Sequence, residues 1–266
     1  FVIKPNQTVE AFVGFTPVEP LSHMGDISLL TNAWNEEEAV ISVSGTGIYG
    51  PLVVDQFEQV EVINADILFV IDNSCSMGSE QADIVSNAGT FISSLGATGV
   101  DYQIGVITTD SPDLVSAIIT PFLADPVSAF QDAVDVGTSG DADEAGLEMA
   151  YVATSAPRGT ASSDAGFIRE NSVFSAVIVS DENDVDSPLT VTEYVNHFLS
   201  LKADPDQVAF HSVVDLGTGM CAGNELGERY IDTTIGTSGL TLDLCLGTWG
   251  TFLESIVSGS TTAVNT

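Results

Sequence analysis

The chain has 266 residues, 44% of them hydrophobic, with a mean hydropathy of +0.27, enough to bury at least one sizeable core and too apolar for a disordered segment. Only 16% of the residues are charged, against roughly 25% in ordinary soluble chains, yet 38 are acidic and 5 basic, for a formal charge of -33. A surface so poor in Lys and Arg repels phosphate backbones and anionic headgroups, which argues against nucleic-acid or membrane-surface binding and suits cations and saline surroundings.

No run of about eighteen apolar residues occurs, so no membrane insertion is expected. The opening FVIKPNQTVEAFVGF already alternates like a strand, so residues upstream of it are expected to be missing from this sequence. From residue 1 to about 55 the pattern keeps period two, in TVEAFVGFTP and AVISVSGTGI, interrupted by Pro17, Pro20 and the polar NAWNEEE. About four antiparallel strands are expected, fewer than the seven or so of a whole sandwich. The motifs FTP and VSGTG resemble strand ends of Hydin and choice-of-anchor immunoglobulin-like domains. That resemblance, over residues 1–55, implies a partial β segment whose open edge is covered by another segment or another chain. Gly45, Gly47 and Gly50 satisfy G-x-G-x-x-G, but Pro51 and the alternating PLVV follow where a dinucleotide site needs a helix.

From about residue 64 short apolar runs alternate with helical periodicity. DILFVID, YQIGVITT, SAIIT, FSAVIVSD, QVAFHSVVD and LTLDLC read as strands. EQADIVSNAGTFISSL, PVSAFQDAVD, DEAGLEMAYVATS, TVTEYVNHFLSLK, ERYIDTTIG and GTWGTFLESIVSG read as helices between them. Unbroken Val and Ile runs mark strands covered on both faces, so the fold class expected over residues 64–262 is α/β, with a doubly wound, mostly parallel sheet. Ligands of such folds sit beyond the carboxyl ends of the strands.

Asp72 ends the first of these strands, and Ser74 and Ser76 follow at i+2 and i+4, so a tight turn brings three small oxygen donors toward one point before a helix starts near Ser79. Hard donors of this kind suit Mg²⁺, Ca²⁺ or Mn²⁺. Asp181 ends the strand AVIVS at the same edge, and Thr138 lies in the glycine-containing loop of VDVGTSGDADEAGLE. In order and type, Asp72, Ser74, Ser76, Thr138 and Asp181 resemble the metal-ion-dependent adhesion site of the von Willebrand factor type A family. The family's threonine loop is commonly shorter, which leaves Ser139 as an alternative to Thr138, and Cys75 stands where the family usually has Gly. The resemblance implies a Mg²⁺ or Ca²⁺ ion, with Mn²⁺ also accepted, that keeps one position for an Asp or Glu carboxylate of a protein partner.

Asp110, at the end of IGVITTD, and Glu182 and Asp184, beside Asp181, are further candidates for holding metal-bound water. DENDVD lacks the Gly and distant Glu of an EF-hand loop and reads as a solvated loop. His23, His197 and His211 have no partner at zinc spacing, and His211 reads as a core histidine. No G-x-S-x-G, H-E-x-x-H or phosphate loop occurs, so the chain is not expected to be an enzyme. Cys75 reads as a buried, inert thiol. Cys221 and Cys245 flank one segment, where a disulfide suits an oxidising exterior and two reduced core thiols are the alternative. The expected function is extracellular or cell-surface, cation-dependent adhesion. The alternative is a structural subunit of a surface assembly, with homo-assembly through the N-terminal β segment.

Overall fold

A computed structural model describes residues 12–33, 36–47, 64–141, 144–218, 224–246, 249–250, 252 and 255–256. The chain divides into two compact units, 1–60 and 61–266.

In the first unit β1 (Ser22–Ala33) and β2 (Glu36–Thr46) form an antiparallel hairpin, with Ser22 opposite Thr46 and an irregularity between Leu30 and Ala33. Residues 12–17 carry no regular structure, so the described part of TVEAFVGFTP is not the strand its alternation predicts. Pro17, which has no N–H to give to a ladder, closes that stretch. Gly45 lies within β2, where an added Cβ would come within 3.0 Å of the Phe15 ring.

The second unit is the doubly wound α/β fold. Its strands β3 (Asn64–Ile71), β4 (Asp101–Thr108), β5 (Ser172–Val179), β6 (Val208–Val214) and β7 (Thr241–Asp243) form one parallel sheet in the order β4-β3-β5-β6-β7. The connecting helices are α1 (Gly78–Ala97), α2 (Pro126–Val134), α3 (Gly146–Thr154), α4 (Val191–Leu199) and α5 (Glu228–Gly236). The stretch SAIIT, expected as a strand, contributes an isolated antiparallel bridge of Ile119 to Ile104.

Period-two alternation explains the unbroken apolar runs. Ile67, Phe69 and Ile71 of β3 enter a core shared with Phe91 of α1 and Phe130 of α2, where the Phe69 and Phe130 ring centroids are 5.1 Å apart. Leu68 and Val70 enter the opposite core, with Leu147 of α3, Phe198 of α4 and Tyr230 of α5. Each face of β3 is thus covered by helices, which a parallel sheet requires. The chain runs from β3 to β4 on one side and then crosses to β5 on the other. Strand order therefore reverses at β3, and its carboxyl end is the crevice where such folds bind ligands. Among the described residues no helix is long and apolar enough to cross a membrane.

Candidate metal centre

Asp72 leaves the end of β3 wholly buried, its backbone N–H still donating to Val179 O of β5. One carboxylate oxygen, Oδ1, accepts from Ser74 N at 2.7 Å, which folds residues 74–77 into a turn, and Oδ2 accepts from the Ser180 hydroxyl at 2.6 Å. The turn directs Ser74 and Met77 inward and Cys75 and Ser76 outward. Cys75 is therefore exposed and free, not the buried thiol expected from its sequence. Ser74 Oγ and Ser76 Oγ are 3.1 Å apart, and Ser76 Oγ donates to Asp181 Oδ1 at 3.1 Å. A continuous line of short contacts thus joins Asp72, Ser74, Ser76 and Asp181, although Asp181 comes from the end of β5.

Thr138 is exposed, in the loop between α2 and α3, and a Cβ placed on Gly78 would sit 3.8 Å from its Cγ2. What holds that loop to the turn is Gln81, which the sequence did not single out. Its buried amide donates to Gly137 O and to Asp72 O, each at 2.9 Å, and accepts from Gly137 N at 3.2 Å. Further along, Gly140 N donates to Asn73 O at 2.7 Å, and a Cβ on Gly140 would lie 2.6 Å from side-chain atoms of Asn73 and Asp110. Only glycine lets the two loops come this close. Ser139 is exposed. Asp110 Oδ2 accepts from Asn73 Nδ2 at 3.0 Å and Asp141 N at 3.1 Å, so it braces the rim.

The loop after Asp181 is less solvated than its composition predicts. Asp184 is wholly buried, because its Oδ1 caps the start of α3 through Leu147 N at 3.1 Å and its Oδ2 is 3.3 Å from Arg229 Nη1. Glu182 N donates to Ser180 Oγ at 3.1 Å, the hydroxyl that also serves Asp72. Cys221 lies outside the described residues, and so does the disulfide expected between it and Cys245. His211 is a core histidine whose Nδ1 accepts from Leu240 N at 3.0 Å.

Glu144, just ahead of α3, is another buried acid at this edge. It is fully buried and neither carboxylate oxygen has a hydrogen-bond partner. The Thr109 hydroxyl lies close enough to lower its pKa somewhat, but donates to Asn73 Oδ1 at 3.3 Å. Burial, and then the charge of Asp72, push the Glu144 carboxyl up to about 8. Burial also raises Asp181, with Asp72 and Glu80 adding to it against the Ser76 hydrogen bond. Arg169 pairs with Asp66 and Asp101, and Arg229 with Asp184, but among the described residues no ion pair reaches Asp72, Asp181 or Glu144.

These features fit a hard cation. Carboxylates buried without a protein cation are costly unless another positive charge arrives. The hydroxyls of Ser74 and Ser76 have lone pairs to give while their protons remain on acceptors. Among the described residues no three His, Cys, Asp or Glu side chains meet closely enough to hold a metal on their own, so the hydroxyls belong in any donor set.

No protein-family model and no curated protein matches the chain. Among solved structures, it is similar to proximal thread matrix protein 1 from the mussel byssus with a zinc-occupied MIDAS motif, at 13% identity and TM-score 0.47, over 76% of this chain and 46% of that one. It is similar to a von Willebrand factor type A protein from Catenulispora acidiphila, at 9% identity and TM-score 0.48, over 92% and 51% of the two chains. It is also similar to the pilus adhesin SpaC from Lactobacillus rhamnosus GG in its open conformation, at 12% identity and TM-score 0.48, over 98% and 36%. The chain spans about half or less of each of these proteins.

Proposed function

We propose that the second unit is an extracellular, divalent-cation-dependent protein-binding module of the adhesion type. The observation that carries this reading is the continuous line from buried Asp72 through Ser74 and Ser76 to Asp181, at the switch point of the sheet, with no ion pair to neutralise it among the described residues. Asp72, Ser74, Ser76, Thr138 and Asp181 would hold Mg²⁺ or Ca²⁺, with Mn²⁺ also suited to oxygen donors. The ion supplies a positive charge at the protein surface to which an Asp or Glu of a partner protein can bind. The exposure of Ser76 and Thr138 supports a charge within reach of a partner.

Calorimetric titration of Mg²⁺, Ca²⁺ and Mn²⁺ into the wild-type chain and into Asp72→Ala tests the site. Heat is expected from the wild type and none from the variant, and equal heats would remove the site. Acetate, standing in for a partner's side chain, should then lower the water-proton relaxation caused by bound Mn²⁺. Unchanged relaxation would leave a cation site without a carboxylate-binding role.

A second reading, a subunit of a surface assembly, is favoured by the hairpin. Met24 and Leu30 of β1 are 88% and 85% exposed, and Val40 and Ile41 of β2 are also exposed. Apolar side chains on a two-stranded sheet invite pairing with a neighbouring chain. Sedimentation with and without EDTA separates the readings, because an oligomer dissolved by EDTA assigns the cation to assembly.

A further inference from the structure

Glu144 lies outside the five-residue motif, and among the described residues no ion pair reaches its carboxylate. The residue is 0% exposed, neither carboxylate oxygen has a hydrogen-bond partner in good geometry although the Thr109 hydroxyl lies near, and the strongest like charge acting on it is that of Asp72. Its backbone carbonyl is well used, accepting from Asp186 N at 3.1 Å, so the main chain there is fixed without help from the side chain. Buried carboxylates in native proteins are paired, hydrogen-bonded or bound to metal. Arg229 is committed to Asp184, and Arg169 to Asp66 and Asp101. The Tyr230 hydroxyl, buried and also unpartnered, has a proton to donate but no charge to offer.

We propose that Glu144 is a positioning carboxylate of the cation site, acting on the ion from the interior side through an intervening water. This rests on the cation reading given under the preceding heading. Direct ligation beside both aspartates is set aside because no three acidic side chains meet at one point among the described residues. The role sets the class of ligand. Asp72 and Asp181 together already carry more negative charge than one monovalent ion can neutralise, and a Glu144 that ionises beside the ion adds to it, so the site selects divalent over monovalent cations. A buried water bridging Glu144 and Tyr230 is the alternative, and it predicts no change in cation affinity when Glu144 is replaced.

The test compares wild type, Glu144→Gln and Glu144→Ala in the full chain, by Mn²⁺ titration and by thermal unfolding in EDTA. Gln keeps the volume and removes the charge. Loss of an outer carboxylate is expected to weaken Mn²⁺ binding about 10- to 100-fold, while the melting temperature of both metal-free variants stays level or rises. A structural glutamate gives the opposite sign, so a fall of several degrees in EDTA, or failure of both variants to fold, overturns the proposal. Unchanged Mn²⁺ affinity in both also overturns it while leaving the cation reading intact. A wild type that binds no divalent cation removes both.

Discussion

Asp66 and Asp72 stand at opposite ends of one strand, about 20 Å apart at 3.3 Å per residue, and both are wholly buried. Their company differs. Asp66 accepts from Arg169 Nε and from Arg169 N, each at 2.7 Å, and from the Ser172 hydroxyl, to which Lys202 Nζ donates at 2.8 Å. Arg169 also reaches the carbonyls of Ala65 and Asp101, tying the amino ends of β3 and β4 together. Burial raises the pKa of Asp66 and the Arg169 charge opposes it. Among the described residues Asp72 receives a backbone N–H and a serine hydroxyl, and its neighbours Asp181 and Glu144 are acids. Of the chain's 5 basic residues, Arg169 and Lys202 thus meet the Asp66 end of β3, and among the described residues no ion pair reaches Asp72. One end of β3 carries its own cation, and the other lacks one among the described residues, as the proposed cation site requires.

The largest effect expected from this contrast is at the self-sufficient end. Arg169→Ala strands Asp66 in the core, and removal of one partner of a buried pair costs ~3–5 kcal/mol. Denaturant unfolding should show that loss, with the heat of Mg²⁺ or Ca²⁺ binding unchanged. A loss below about 1 kcal/mol would mean that Lys202 suffices and that the two ends differ less than their contacts indicate. At the other end the complementary gain comes from outside. Divalent cation at 100 times its dissociation constant adds about 2.7 kcal/mol, a rise of roughly 5–10 °C in melting temperature for a unit of this size. Asp72→Ala should abolish that rise, and a rise that persists would place the cation elsewhere.

A smaller effect separates the ends by pH. Glu144, at about 8, binds its proton more tightly in the folded chain than a free glutamate at 4.5 does. The metal-free fold is therefore favoured below 4.5, and that advantage is lost as pH rises through about 8. Asp72, Asp110, Glu182 and the Tyr230 hydroxyl surround this group, and the acids among them push in the same direction. His197 and His211, lowered to about 4 by burial, act oppositely, because the unfolded chain takes up their protons below 6.5. The window between 6.5 and 8 isolates Glu144. Stability in EDTA should fall there by about 1–2 kcal/mol, and saturating Mg²⁺ should flatten the slope. A flat profile without metal would contradict the burial of a carboxylate facing Asp72.

Much of this was legible in the sequence, for identifiable reasons. Asp72, Ser74 and Ser76 are neighbours in the chain, and a strand end followed by a turn fixes where they go. Asp181 could be placed because it too ends an apolar run, and all such ends meet at one edge of a parallel sheet. The N-terminal region was less legible, since the alternation in residues 12–17 is a weak signal where Pro17 cuts the segment short. Glu144 was hidden in the acidic string DADE, which looks solvated. The signal that would have found it is helical spacing, because Glu144, Leu147, Ala150 and Thr154 continue the buried face of α3 one turn backward. Asp184 was hidden in the same way, since burial by a helix N-terminus and Arg229 depends on segments remote in sequence. Gln81 gave no signal at all, because its partner Gly137 is distant in the chain and a glutamine in a first helical turn is ordinary.

That hidden glutamine supports the smallest expected effect, which bears on how the ligand end is assembled. The arm formed by Asp72, Ser74 and Ser76 is held by its own turn and by Ser180, whereas the Thr138 loop is tied to it through the two-way bond between Gln81 and Gly137. Gln81→Ala should therefore leave the arm in place and loosen the loop beside Thr138, which Gly140 N still ties to Asn73 O, weakening cation binding about five- to tenfold, near 1 kcal/mol. Thr138→Ala alone should weaken binding by a similar factor. If Gln81 acts by positioning Thr138, the second substitution costs little once the first is made, and the two effects fail to add. Full additivity would show that Thr138 reaches the cation without the tether, and that the amide of Gln81 serves only the packing beneath Asp72.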